Sequence, residues 1–260
     1  MKARVKTPAV LARIMEYGDT SLILKVFSRD YGYISLIAKG IRKKQDSSLL
    51  SPLNEYEFTM YEPQEQGLFL LSEFSLLAEC GLAANPQLWA AAQCALELLS
   101  QLLIASDENP AYYQLLTRYL EFLDRSKIDP AMLWWRFLLR VMKLMGTPLD
   151  TKTCSLCQAS TQPVSAWRKG SAELVCVQCL DPLQKSDALE LLSPQSSLLL
   201  NKLDQLYETE TIKPTRHSLH QLNQLFAAYY QSHYNKTLKL KSLGVLEQFY
   251  GPEPDQNGSN

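Results

Sequence analysis

Along the first 75 residues, apolar and polar positions alternate in short runs, and the spacing then changes to a helical one. The runs Ala9–Glu16, Ser21–Ser28, Tyr33–Ala38, Glu55–Tyr61 and Leu68–Phe74 predict five strands. Turn signals separate them: Gly18-Asp19, Arg29-Asp30-Tyr31-Gly32, the polar stretch Lys43–Ser48, and Pro63–Gly67. So many short strands in so short a span predict a small closed barrel of the OB type, which removes sheet edges and offers one face to oligonucleotides. A plain antiparallel sheet is the alternative.

Beyond residue 80, helix starts are marked by a capping residue followed by proline, at Asn85-Pro86, Asn109-Pro110, Asp129-Pro130 and Ser193-Pro194. The side chain accepts from free first-turn amides, and proline lacks only a donor that would be unpaired there. From Pro130 the run through Met145 is too apolar for a surface helix, and Gly146 with Pro148 stops it. Trp134 and Trp135 are therefore expected to pack in a core rather than stack on bases. A last amphipathic helix is expected over Arg216–Tyr234, followed by a basic segment and a polar, flexible tail over 251–260.

Composition adds limits. A 46% apolar and 20% charged chain is that of a folded globular protein. It has neither an apolar span of membrane length nor the apolar stretch of a signal peptide near its start, so a cytoplasmic protein is expected. The net charge of −1 hides an asymmetry. Residues 1–50 hold ten Lys and Arg against four Asp and Glu, a local excess of +6. A concentrated basic face on a near-neutral protein is the footprint of phosphate-backbone binding.

Of the six cysteines, Cys154, Cys157, Cys176 and Cys179 form two Cys-x-x-Cys pairs separated by 18 residues. That spacing points to a closed four-thiolate zinc site, in which each pair turns two sulfurs toward one point and no position is left for water. The ion is expected to shape the chain and not to catalyse, because the segment from Gln162 to Val175 has few large apolar residues with which to build a core. A redox dithiol is the alternative, but it lacks a βαβ context and would not explain two matched pairs. Trp167, Arg168 and Lys169 are expected at a solvated loop tip, and Cys80 and Cys94 as small buried hydrophobes.

Lys39-Gly40-Ile41-Arg42-Lys43-Lys44 places four cations in six residues where a strand gives way to a loop. DNA contact is expected there, through phosphate neutralisation and counterion release, with Gly40 allowing a turn or close approach. Arg13, Lys25 and Arg29 lie on or beside neighbouring strands and join the candidate set, and Tyr31 and Tyr33 are candidates for stacking. A solvated basic loop is the alternative.

Glu16-Tyr17-Gly18-Asp19, Val26–Gly32 and Ile37–Lys43, in that order and spacing, resemble the RecO family of bacterial recombination mediators. Leu50-Ser51-Pro52-Leu53, the four cysteines and Lys236–Leu246 are similar to further segments of that family, so the resemblance spans nearly the whole chain and is weakest over residues 86–145. It implies an α+β multidomain protein: an N-terminal OB-fold β-barrel (1–78) followed by an α-helical domain (79–250), with a zinc knuckle inserted at 151–182. It also implies a non-catalytic role in the RecF repair pathway: binding and annealing single- and double-stranded DNA, association with RecR and with single-stranded-DNA-binding protein, and help in loading the RecA recombinase, in a cytoplasmic, nucleoid-associated setting. Lys39, Arg42, Lys43 and the four cysteines carry over by motif. The chain departs from the family in having Trp167-Arg168-Lys169-Gly170 and Leu174-Val175 before the second cysteine pair, where many relatives have adjacent glycines.

An enzyme needs a catalytic constellation, and none is legible. His217 and His220 have no acidic or thiolate partner nearby in sequence, and no phosphate-binding Gly-x-x-x-x-Gly-Lys loop occurs. A protein-binding adaptor remains the rival class, because OB folds host both kinds of ligand.

Overall fold

Period-two alternation builds five strands: β1 (Arg4–Tyr17), β2 (Ser21–Ser28), β3 (Gly32–Ala38), β4 (Glu55–Tyr61) and β5 (Phe69–Ala78). The structure, a computed structural model, describes residues 3–43, 45–64, 67–180, 188–203 and 212–251. Lys44 and most of the expected tail lie outside the described residues. Hydrogen bonding runs β1-β2-β3-β5-β4 and returns from β4 to β1, so the sheet closes on itself as a barrel. The β3–β5 pairing is parallel and short, Leu36 with Phe69 and Ile37 with Leu70, and the others are antiparallel.

β1 begins five residues earlier than the sequence pattern indicates. Its first half, Arg4–Val10, pairs with β4, and its second half, from Ala9, pairs with β2. A register shift between Leu11 and Arg13 lets the strand bend from one neighbour to the other. Ala9, Val10, Leu11 and Ala12 are all buried, which breaks the alternation, and of these Ala9 and Leu11 belong to the barrel core. Inside, Leu11, Leu24, Val26, Leu36, Phe58 and Met60 fill the barrel with Tyr56. The Tyr56 hydroxyl donates to the Leu49 carbonyl at 2.8 Å and accepts from the Ser51 amide at 2.8 Å, which holds the Leu50–Leu53 segment on the barrel.

Two helices belong to the same compact unit as the barrel, α1 (Pro86–Gln101) and α2 (Asn109–Arg125). Both meet β2, and Phe27 is fully buried although it alternates out of phase with the barrel core. Sequence texture divides the chain at 78/79, whereas compactness divides it into Met1–Ser126 and Lys127–Asn260, because α1 and α2 pack on the strands. Asn85 caps α1 as expected, accepting from the amides of Gln87 and Leu88. Asn109 does not cap α2, since the cap position is Glu108 and makes no side-chain bond. The Asn109 side chain instead lies against Gly32, in the β2–β3 turn, and its Oδ1 has no partner among the described residues.

In the second unit, α3 (Pro130–Leu144) is capped by Asp129, whose carboxylate accepts from the Ala131 amide at 2.9 Å and from the Tyr250 hydroxyl at 2.6 Å. Trp134 and Trp135 are fully buried, which rules out base stacking. Trp135 Nε1 donates to Asn223 Oδ1 at 2.9 Å, and Asn223 Nδ2 donates to Glu247. There follow β6 (Val164–Arg168), β7 (Leu174–Cys176), the single turn α4 (Val177–Leu180), β8 (Leu189–Leu191), α5 (Pro194–Lys202), α6 (Arg216–Tyr234) and α7 (Lys241–Glu247). A Thr215–Ser218 capping box opens α6, and Asn235 ends it in the left-handed conformation, φ 50°. Cys94 is buried as expected, but Cys80 is only half-buried.

Candidate metal centre and nucleic-acid interface

The two cysteine pairs meet. Gln158, with φ 58°, follows a turn closed by its amide onto the Cys154 carbonyl at 2.9 Å, which aims Cys154 and Cys157 to one side. Cys176 ends β7 and Cys179 sits on α4, and the β6–β7 hairpin brings them to the first pair. The four Sγ atoms all lie within 4.8 Å of one another, and Cys157 Sγ is 3.8 Å from Cys176 Sγ. Zn–S bonds of about 2.3 Å in a tetrahedron require S–S edges of about 3.8 Å, so the cluster has the dimensions of such a site. Four thiolates suit a borderline-soft ion such as zinc, and they would fill its coordination shell.

The protonation of the cluster agrees. Burial opposes a Cys154 thiolate, but amide donors, including that of Cys176 at 3.4 Å, outweigh it and hold the thiol down at about 6. Cys179 is pushed up to about 12, first by its hydrogen bond with Cys157.

Around the cluster, one expectation needs correction. Trp167 is not at a solvated tip: it stands on β6, only 7% exposed, paired with Leu174 and Glu190 on its two sides. The tip is Gly170–Ala172, with φ 88° and 57° at its ends. Arg168 faces Glu173 at 3.4 Å and Lys169 faces Glu190 at 3.1 Å, so both cations are already answered by acids of the same small sheet.

On the barrel, the outward positions of β1, β2 and β3 form rows across the strands. Arg13 is in register with Lys25, and Lys25 with Ser35, to whose hydroxyl Lys25 Nζ donates at 2.6 Å. One row toward the β1–β2 turn, Met15, Ile23, Ile37 and Leu70 stand in register, all only partly buried. Beyond them come Tyr17, 54% exposed, and the exposed Lys39, Arg42 and Lys43. An apolar band is thus framed by cations on two sides. This band is missing from the sequence reading, although its signal is present: apolar residues occupy both phases of Ile23–Val26 and Ile34–Ile37, which a one-sided strand does not need.

Not every candidate joins this face. Arg29 lies past the far end of β2, paired with Asp30 at 3.0 Å, and Asp30 accepts from Thr7 at 2.6 Å. The Arg29 hydrogen bond holds the Asp30 carboxyl below its ordinary range. Tyr31 turns onto the barrel core, edge-on to Phe69 with ring centroids 5.3 Å apart, and burial pushes its hydroxyl up to about 12. Tyr33 is half-buried on the outer side, in register with Phe27. Among the described residues, the side chains of Lys39 and Lys43 make no hydrogen bond or ion pair, whereas that of Arg42 makes several. His217 and His220 belong to no cluster of metal-binding groups among the described residues. No described helix is long and apolar enough to cross a membrane.

Residues 1–79 match the family model "Recombination protein O N terminal", and residues 83–243 match "Recombination protein O C terminal". A DNA repair protein RecO of Desulfatibacillum aliphaticivorans is 28% identical over 260 residues, covering 94% of this chain and 96% of that one. Another, from Bartonella tribocorum, is 28% identical over 182 residues, covering 69% and 72%. A third, from Chlorobium limicola, is 31% identical over 166 residues, covering 62% of each. Other relatives align over less than two thirds of their length, such as 58% of the one from Prosthecochloris aestuarii.

Proposed function

The chain belongs to the Recombination protein O family of DNA repair proteins, and we propose that it acts in recombinational repair by binding DNA on the outward positions of β1, β2 and β3 toward the β1–β2 turn. The observation that carries this reading is the band Met15–Ile23–Ile37–Leu70 framed by Arg13 and Lys25 on one side and by Lys39 and Lys43 on the other. Cations neutralise phosphates, and an apolar band accepts base faces that a duplex would hide, so single strands fit this face best. Duplex DNA would engage mainly the cations.

Annealing needs only that two polyanions be brought together with their charge neutralised and their bases free to pair, so no acid, base or nucleophile is called for. In this reading the protein is not an enzyme. The family resemblance supports association with RecR and with single-stranded-DNA-binding protein, and help in loading RecA. Lys44 belongs to the proposed DNA-binding set with Lys39 and Lys43.

Cys154, Cys157, Cys176 and Cys179 would hold one zinc ion. The ion supplies a four-way covalent junction and no open coordination position. The residues around it do the rest: β6 and β7 align the second pair, and the small cluster Ala166, Val175 and Leu180 packs beside it.

Binding of an unrelated single-stranded oligonucleotide across a salt series tests the DNA reading. Affinity should fall linearly with salt on logarithmic axes. Absence of binding even at low salt would refute it and favour the protein-adaptor reading, for which the same apolar band would be a protein contact.

A further inference from the structure

Arg42 sits in the middle of the basic segment, yet its side chain is committed elsewhere. Nη1 donates to the Gly18 carbonyl at 3.2 Å, and Nη2 lies 3.3 Å from Glu16 Oε2. Its backbone amide donates to the Thr20 carbonyl at 3.1 Å. The neighbouring Ile41 is 6% exposed and anchors the 3₁₀ turn Ile41–Lys43 in the barrel core. All three partners of Arg42 belong to the end of β1 or to the β1–β2 turn. Gly18 and Gly40 have φ of 58° and 68°, and a Cβ at either would meet nothing, so these glycines serve backbone direction and not packing. Both turns are held in register by one guanidinium.

We propose that Arg42 is a positioning residue, a strut that fixes the β1–β2 turn against the Ile41–Lys43 turn, so that Tyr17, Lys39 and Lys43 stand in a fixed arrangement, and that it does not itself contact phosphate. The proposal rests on the DNA-binding reading above and changes the role expected of Arg42 from its sequence. Only an arginine can do this, because one planar fork serves a carbonyl and a carboxylate at once, while a lysine offers a single point charge.

The two roles differ in what salt reports. A residue that neutralises a phosphate of single-stranded DNA contributes about 0.7 to the slope of log affinity against log salt. Lys39→Gln and Lys43→Gln should each lower the slope by about that much. Arg42→Gln should weaken binding several-fold with the slope unchanged. Arg42→Lys, which keeps the charge, should be as weak as Arg42→Gln. Hydrogen exchange on the DNA-free protein supplies an independent readout: the amides of Gly18–Thr20 should exchange faster in both Arg42 variants, with thermal melting showing that the fold persists. A slope reduced by about 0.7 in Arg42→Gln, together with recovery in Arg42→Lys, would overturn the proposal and make Arg42 a phosphate ligand. Unchanged exchange at Gly18–Thr20 would overturn it as well. Should the unaltered protein not bind the oligonucleotide, the DNA reading fails and exchange still decides whether the strut exists.

Discussion

Gly32→Ala tests how the β2–β3 turn is seated on α2. Gly32 has φ +66°, and a Cβ there would lie 2.7 Å from Asn109 Oδ1 and 3.2 Å from its Cγ. A left-handed conformation costs a non-glycine residue about 1–2 kcal/mol. Asn109 is 4% exposed at the first turn of α2, with Pro110 behind it, so it has little room to move, and overpacking of this kind costs about 1–3 kcal/mol. Together the loss should be about 2–5 kcal/mol, a large share of the ~5–15 kcal/mol that holds a typical domain together. At roughly 4 °C per kcal/mol for a unit of this size, the melting temperature should fall by about 8–20 °C. The assay is urea unfolding with a thermal melt. Its control is the double-mutant cycle with Asn109→Ala, which removes the clash and leaves the backbone term. The double variant should be more stable than the sum of the single effects predicts by about 1–3 kcal/mol, the clash term alone. A change under about 0.5 kcal/mol in Gly32→Ala, or strict additivity in the cycle, would refute the account.

Metal analysis should find one zinc per chain, and Cys154→Ser with Cys157→Ser should lower the stability of the Lys127–Asn260 unit before it alters the salt slope of DNA binding; a folded variant that has lost DNA binding would make the knuckle a contact surface. Burial raises the Asp129 carboxyl above its ordinary value, against the pull of the Tyr250 hydroxyl and the Ala131 amide. The folded state therefore holds that proton more tightly, and the contribution is present below the unfolded pKa and lost as pH rises through the folded one. Asp129→Asn keeps the acceptor, so its stability relative to the unaltered protein should increase as pH rises from about 4; a difference that stays constant or declines would refute this. Trp135→Phe should cost about 1–3 kcal/mol by leaving Asn223 Oδ1 without its buried donor, and a loss below that range in urea unfolding would mean the pair is not under load.

Elements with local causes were legible in the sequence. β2 and β4 run over the expected Ser21–Ser28 and Glu55–Tyr61, and α6 over the expected Arg216–Tyr234. What escaped depends on distant partners. Arg4–Pro8 looks like a poor strand, with a proline in it, until β4 is there to pair with it. Asn109 has the residue type of a cap, but it lies one position inside the helix and its side chain packs against Gly32. Trp167 reads as a loop residue because strands as short as β6 and β7 leave no periodicity, and its burial depends on pairing with β7 and β8. The four cysteines were legible because ligand spacing is written locally. The basic segment was legible as charge but not as labour divided between Lys39, Lys43 and the tethered Arg42, since sequence shows how many cations there are and not what each one holds.

β1 serves two neighbours in succession, and its first half is the seam that closes the barrel. Two exposed ion pairs lie there, Lys6 with Glu57 at 2.5 Å and Arg4 with Glu73 at 2.9 Å, each of a kind worth about 0–1 kcal/mol and weakened by salt. Were residues 4–10 to peel away, β4 would present a bare edge whose natural complement is the β1 of a second molecule, which is the route to a swapped dimer. Salt concentrated enough to screen exposed charges would loosen the same seam. A preparation handled that way should be checked for exchanged dimers by size before any gain in apparent DNA affinity is credited to a single barrel.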